Sequence, residues 1–164
     1  MADNTSGNGQ LTLAGRFNHY STKYLGTAAR FYARLHARLY DRFGGTRFTT
    51  LSGKPVFRLN VTGRKSGEPR PVMLMLVRDG EDLLVCGSNG GHPNLPNWWR
   101  NLVTTPRPEV QVGPDRWAVE VHVVDDDAEY ERLWKLLVAG YQEFATYRAL
   151  SERRFPIAVL RKAS

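Results

Sequence analysis

The spacing of apolar positions changes character along the chain. Between Tyr20 and Phe43 they fall at Leu25, Ala28, Ala29, Tyr32, Leu35, Leu39 and Phe43, which predicts one helix. Gly44-Gly45 predicts its end, because glycine takes the left-handed conformation that closes helices. On this helix Arg30, Arg34, Arg38 and Arg42 recur every fourth residue as a basic stripe. After Lys54-Pro55 the pattern becomes that of strands. Val56–Thr62 and Val72–Val77 flank the turn GRKSGEP, Asp79-Gly80 marks a tight turn, and Leu83–Gly87 reads as the third strand of a meander. Leu95–Val103 reads as a short helix with Asn94 as cap and Pro96 near its first turn. Val110–Val112 and Trp117–Val124 read as a strand pair across Gly113-Pro114-Asp115. Asp125-Asp126-Asp127 places acids at the positive end of a helix over Ala128–Val138, which either breaks near Gly140 or continues to about Leu150. Pro156–Leu160 is a short apolar strand, with the proline at its start or on an edge.

Strands joined by tight turns pair antiparallel. Five or six of them, with helices inserted between, predict a mixed α+β fold: a small barrel of mostly antiparallel strands with helices packed outside. The length, 164 residues, fits a single domain over 16–164, with residues 1–15 as a flexible lead-in rich in Gly, Asn, Ser and Thr.

Composition narrows the chemistry. The one cysteine, Cys86, excludes an internal disulfide, a CxxC zinc site and an iron–sulfur cluster, and no metal is expected. No apolar run approaches the roughly 20 residues of a membrane span, and MADNTSGNGQ has no apolar signal core, so a cytoplasmic protein is expected. The net charge of +7 is uneven: residues 1–70 carry +9 and the remainder −2. The basic half calls for an anion, whether nucleic acid, a membrane surface, or a phosphorylated or carboxylated small molecule. Nucleic acid is disfavoured, because interleaved exposed aromatics and known module motifs are lacking. The arginine stripe suits either a solvated helix face or a peripheral contact with anionic lipid.

Four segments carry candidate chemistry. In Gly63–Pro71, two glycines can gather backbone N–H groups into a concavity, while Arg64, Lys65 and Arg70 add charge and Ser66 a hydroxyl. That suits a phosphate or carboxylate; a solvated hairpin turn is the alternative. Ser88-Asn89-Gly90-Gly91-His92-Pro93, at a strand end, allows a flat ligand close to the backbone or is simply a loop. Asn97-Trp98-Trp99-Arg100-Asn101-Leu102 puts Trp98 with Leu102, and Asn97 with Asn101, on shared helix faces. Tyr141, Phe144 and Tyr147 follow helical spacing, either as core or as pocket tyrosines able to donate a proton. The four histidines sit in unlike contexts, and no nucleophilic triad, HExxH or EF-hand spacing occurs.

The run VTGRKSGEPRPVMLMLVRDGEDLLVCGSNGGHPNLPNWWRNL, followed by Val-Gln-Val, Tyr141, Tyr147 and Phe155-Pro156-Ile157, resembles the deazaflavin-dependent nitroreductase family of actinobacteria. The resemblance covers residues 56–160 and implies a split β-barrel oxidoreductase with reduced coenzyme F-420 as hydride donor. By the same resemblance, Arg64, Lys65 and Ser66, with Gly67 in the same turn, hold the cofactor's phosphate and acidic tail. Pro71, Met73 and Met75 lie along the deazaflavin ring, and Ser88, Asn89, Gly90 and Gly91 contact the ring or ribityl chain. Trp98, Asn101 and Leu102 close the groove, and Tyr141 and Tyr147 face the substrate as catalytic residues. Three departures bear on the acceptor: Phe144 replaces a tyrosine of the nitroimidazole-activating relative, Met75 an aromatic and Asn89 a lysine. The expected partner is a small electron-poor acceptor: a quinone, an α,β-unsaturated carbonyl or a nitroaromatic. An FMN-dependent barrel reductase and a non-catalytic carrier of cofactor or lipid remain alternatives, and a homodimer is compatible with the fold.

Overall fold

The computed structural model describes residues 35–164. The lead-in, the predicted helix as far as residue 34, and Arg30 and Arg34 of the basic stripe lie outside the described residues. Residues 35–42 are helical (α1), with Arg38 and Arg42 exposed. Gly44 and Gly45, both at positive φ, close the helix, their N–H groups donating to the carbonyls of Asp41 and Tyr40 at 2.9 and 2.8 Å. The buried Tyr40 hydroxyl donates to the Gln111 carbonyl at 3.4 Å and accepts from the Gly113 N–H at 2.8 Å. Asp41 meets both Arg58 and Arg116 at 2.6 Å. These contacts clamp α1 to the sheet.

The strands are β1 (Thr50–Leu51), β2 (Lys54–Thr62), β3 (Pro69–Met75), β4 (Val77–Asp79), β5 (Asp82–Cys86), β6 (Glu109–Val112), β7 (Asp115–Val123) and β8 (Ile157–Lys162). The helices after α1 are α2 (Asn97–Leu102), α3 (Asp127–Gly140) and α4 (Glu143–Ala149). Every strand pair is antiparallel, in the order β1-β2-β6-β7-β8-β5-β4, with β3 paired to β2. The edge strands β3 and β4 are separated in sequence only by Leu76. The chain therefore forces one sheet edge back toward the other, and the sheet curls into a half-barrel with a seam where β3 hands over to β4.

That seam corrects the expected meander. β5 does not pair with β3; it pairs with β4 and β8, because the strand predicted over Val72–Val77 breaks at Leu76, whose N–H bonds to the Pro55 carbonyl at 2.9 Å. The cap expected at Asn94 is also absent. Pro96 is the residue before α2, with extended backbone and no side-chain cap, and the Asn94 carbonyl accepts instead from Asn89 Nδ2 at 2.9 Å. The acidic run behaves as expected: Asp126 Oδ1 caps α3 by accepting from the Glu129 N–H at 2.7 Å.

Of the two courses open after Val138, the chain takes the break. Tyr141 is extended, with φ −145° and ψ 94°, and α4 starts afresh at Glu143. Gly140 lies so close to β4 that a Cβ there would come within 2.8 Å of Val77 Cγ2.

The core has two faces. Leu83, Val85, Ala158 and Leu160 point into the half-barrel with Phe57, Leu59, Trp99, Leu102 and Val110. Leu84, Cys86, Ile157 and Val159 point the other way, onto α3, α4 and Phe155. β5 and β8 are thus buried on both sides, which explains their unbroken apolar runs. Each fully buried aliphatic side chain there contributes about 1.5–3 kcal/mol.

Candidate active site

A cavity of about 340 Å³ opens at the seam. β3 supplies Met73, Leu74 and Met75, β5 supplies Leu84, Val85 and Cys86, and the following loop supplies Ser88, Asn89 and Gly90. Trp98 reaches in from α2, Leu137 from α3, and Tyr141, Phe144 and Tyr147 from the break and α4.

The helix break is what brings the tyrosines together. Tyr141, on the extended residue, and Tyr147, on the new helix, are both buried, and their hydroxyls meet at 3.2 Å. Phe144 stands edge-on to both rings, 5.2 Å from Tyr141 and 6.3 Å from Tyr147 between centroids. The result is an apolar wall with one polar point, the hydroxyl pair.

The loop after β5 runs through Asn89, Gly90 and Gly91 at φ 52°, 61° and 80°. Three consecutive left-handed residues turn the chain tightly, and only one of them carries a side chain. Gly87, before it, is fixed by crowding: a Cβ would meet Pro156 Cγ at 2.9 Å and the Trp99 ring at 3.2 Å. Cys86, the last residue of β5, lines the cavity, and burial pushes its thiol up to about 12 despite Arg153 and the Ser88 N–H, which favour the thiolate. It is a neutral thiol at working pH.

Met73, Met75, Ser88, Asn89, Gly90, Trp98, Tyr141 and Tyr147 therefore share one cavity. The other expected residues sit elsewhere. Arg64, Lys65, Ser66 and Gly67 are exposed on the turn between β2 and β3. Arg64 leans on α2: its backbone N–H and its guanidinium reach Asn101 Oδ1 at 3.2 and 3.1 Å, and Asn97 Oδ1 lies at 3.4 Å. Ser66 Oγ accepts from the Arg70 guanidinium at 3.3 Å. Asn101 is buried beneath the turn rather than lining the cavity, Leu102 is wholly buried in the half-barrel, and Pro71 and Gly91 lie outside the lining. The turn and the cavity are nonetheless neighbours through α2, where Asn101 holds the one and Trp98 lines the other.

Leu74, Leu84, Val85 and Leu137 were missed as cavity residues, since nothing distinguishes their patterns from core. Arg153 was missed as well, although its guanidinium binds the carbonyls of Gly87, Ser88 and His92 at 3.1, 2.9 and 3.1 Å. Among the described residues no three His, Cys, Asp or Glu cluster as a metal site would require, and no helix is long and apolar enough to cross a membrane.

The size and chemistry of the lining suit a largely apolar ligand. The volume falls within the roughly 300–1,000 Å³ of ligand pockets. The lining is mostly thioether, aliphatic and aromatic, with Ser88, Asn89 and Gly90 of the loop as its polar part, and an exposed basic turn is joined to it through α2.

The comparisons agree with this geometry. Residues 32–162 match the family model described as F420H(2)-dependent quinone reductase. An F420H(2)-dependent quinone reductase of Mycobacterium tuberculosis is 34% identical over 130 residues, covering 77% of this chain and 87% of the relative. A solved F420-H2 dependent reductase (FDR-A) superposes with a TM-score of 0.60 at 30% identity, covering 65% of this chain and 94% of that one. A second solved chain, described as a domain-swapped dimer, superposes with a TM-score of 0.62 at 26% identity, covering 82% of this chain and all of that one. The curled antiparallel sheet is the split β-barrel of these reductases, and their hydride donor is the reduced deazaflavin coenzyme. The chain belongs to the F420H(2)-dependent quinone reductase family and is an F-420-dependent oxidoreductase.

Proposed function

We propose that this chain reduces quinones in the seam cavity and that Tyr141 and Tyr147 are its catalytic residues. Bound there, the reduced deazaflavin supplies a hydride, and the quinone takes up that hydride and a proton to become a hydroquinone. Met73 and Met75, with Ser88, Asn89 and Gly90 of the loop, form the surface for the ring, and Trp98 closes one side. Arg64, Lys65, Ser66 and Gly67, with Arg70, present charge and hydroxyl to the cofactor's phosphate and acidic tail. Asn101 holds Arg64 in place from below, while Leu102 anchors α2 in the core. Pro71 and Gly91 shape the strand and loop that flank the lining.

The observation that carries this reading is the hydroxyl pair of Tyr141 and Tyr147, 3.2 Å apart in the cavity lining beside Phe144 and Leu137. A hydroxyl there donates to an acceptor oxygen as negative charge develops on it, in a site where water is displaced by Leu137, Phe144 and Met75. Either tyrosine can pass the proton on, and the contact between them lets one resupply the other. Orientation within the cavity provides the rest, so no triad or metal is required. The same hydroxyl pair suits the oxygen of an α,β-unsaturated carbonyl or a nitroaromatic, and these are the secondary acceptors.

Titration of the purified protein with F-420, with FMN in parallel, tests the cofactor assignment by fluorescence. Micromolar binding of F-420 alone is expected. Anaerobic oxidation of the reduced cofactor by a short-chain quinone, an enone and a nitroaromatic then ranks the acceptors, with the quinone first. Tight FMN binding without F-420 binding, or turnover confined to nitroaromatics, would overturn the proposal.

A further inference from the structure

We infer that Arg153 is a positioning residue that holds the loop 87–92 in the form that faces the cofactor. The inference rests on the proposal that the seam cavity takes the deazaflavin ring. Arg153 lies in sequence between α4 and β8 and is not among the residues that line the cavity. All three of its guanidinium nitrogens are turned to that loop: Nη1 to the Gly87 carbonyl, Nη2 to those of Ser88 and His92, and Nε to that of His92 at 3.4 Å. The guanidinium carbon also sits 4.8 Å from the centre of the Phe155 ring, which fixes the plane of the fork.

The loop needs such a hold. It contains three successive left-handed residues; Gly91 N–H bonds to the Ser88 carbonyl at 3.0 Å and His92 N–H to the Asn89 carbonyl at 3.1 Å, while Gly87 N–H and Asn89 Nδ2 tie its ends to the carbonyls of Pro156 and Asn94, both at 2.9 Å. In a trans peptide the C=O and the following N–H point in opposite directions. Drawing the carbonyls of Gly87 and Ser88 toward Arg153 therefore turns the N–H groups of Ser88 and Asn89 away from it. The Ser88 N–H favours the thiolate of Cys86, whose side chain lines the cavity. Arg153 thus decides which face of two peptide planes a ligand meets without touching the ligand. Lysine cannot copy this, since a single ammonium group lacks the planar fork that spans three carbonyls.

The test compares full-length wild type, Arg153→Met and Arg153→Lys by F-420 fluorescence titration, steady-state kinetics and hydrogen exchange. Arg153→Met is expected to raise the dissociation constant for F-420 roughly tenfold or more, because an unordered loop must be ordered on binding. The KM for reduced cofactor rises in step while kcat at saturation stays within about threefold. Amides of 88–91 exchange faster and those of β5 and β8 keep wild-type protection. Millimolar guanidinium restores part of the affinity to Arg153→Met and none to wild type. If Arg153→Met does not fold, Arg153→Lys carries the test, with raised dissociation constant at wild-type melting temperature. Wild-type affinity in either folded variant, or a loss confined to kcat, would overturn the inference. Failure of the wild type itself to bind F-420 would instead overturn the cofactor proposal on which it rests.

Discussion

The hydroxyl of Tyr141 lies 3.2 Å from that of Tyr147, a contact made across a break between two helices. Had α3 continued past Gly140, residues 141 and 147 would stand six positions apart, far from alignment on a 3.6-residue turn. The extended conformation of Tyr141 turns that separation into a pair.

Replacing either tyrosine by phenylalanine keeps the ring and removes one donor. Each of Tyr141→Phe and Tyr147→Phe is expected to lower kcat with a quinone by on the order of a hundredfold, with affinity for F-420 unchanged. Because the two act as a unit, the double variant should be little worse than the weaker single one. Turnover at saturating cofactor checks this, and additive losses would show two independent roles.

Asn101 joins the basic turn to α2 through two hydrogen bonds to Arg64. Asn101→Ala leaves the Arg64 N–H unpaired at the protein surface and is expected to cost about 1 kcal/mol of stability. The freed turn should weaken F-420 binding more than it slows turnover. Thermal unfolding and the fluorescence titration measure the two effects separately.

Cys86 gives a pH dependence with a definite sign. Burial raises the folded thiol to about 12, above the ordinary value of 9.0. Below pH 9 the thiol is protonated in both states and nothing is lost. Above it the unfolded chain ionises first, so stability falls as pH rises, by up to about 1.4 kcal/mol per pH unit. Between pH 9 and 10 wild type should lose melting temperature faster than Cys86→Ala, since the two share every tyrosine and differ only in the thiol. A thiol reagent at pH 8 should leave the folded protein unlabelled.

Gly87 has no room for a methyl group between Pro156 and Trp99. Gly87→Ala is expected to cost about 1–3 kcal/mol through overpacking and to displace the loop that begins there. The melting temperature and the dissociation constant for F-420 should both worsen, and an unchanged pair of values would show that the backbone yields at no cost.

Strand period, the end of α1 and the acidic start of α3 were legible in the sequence because they are local: Gly44-Gly45 and the run Asp125-Asp126-Asp127 act within a turn of themselves. The seam was not, since Leu76 looks like any other residue of an apolar strand, and the separate pairing of β4 with β5, and of β5 with β8 some eighty residues later, leaves no mark on it. The same division holds in the site. Residues with a resemblance or a signature, such as Met73, Asn89 and Tyr147, could be named, and eight of them share the cavity. Asn101 and Leu102, given to the groove by the resemblance, are buried outside the cavity lining, a depth that the sequence alone does not reveal. Arg153, in a plain polar stretch, became visible only once three carbonyls were seen converging on it.

The position of β8 between β7 and β5 has a consequence for synthesis. Without this strand the β4–β5 hairpin has no hydrogen-bonded link to the rest of the sheet, and half of the cavity wall is unattached. A ribosome delivers that strand last among those described, so the binding site cannot be assembled progressively as the chain emerges. It must appear in one late step, and until then the edge of β5 that pairs with β8 has no backbone partner.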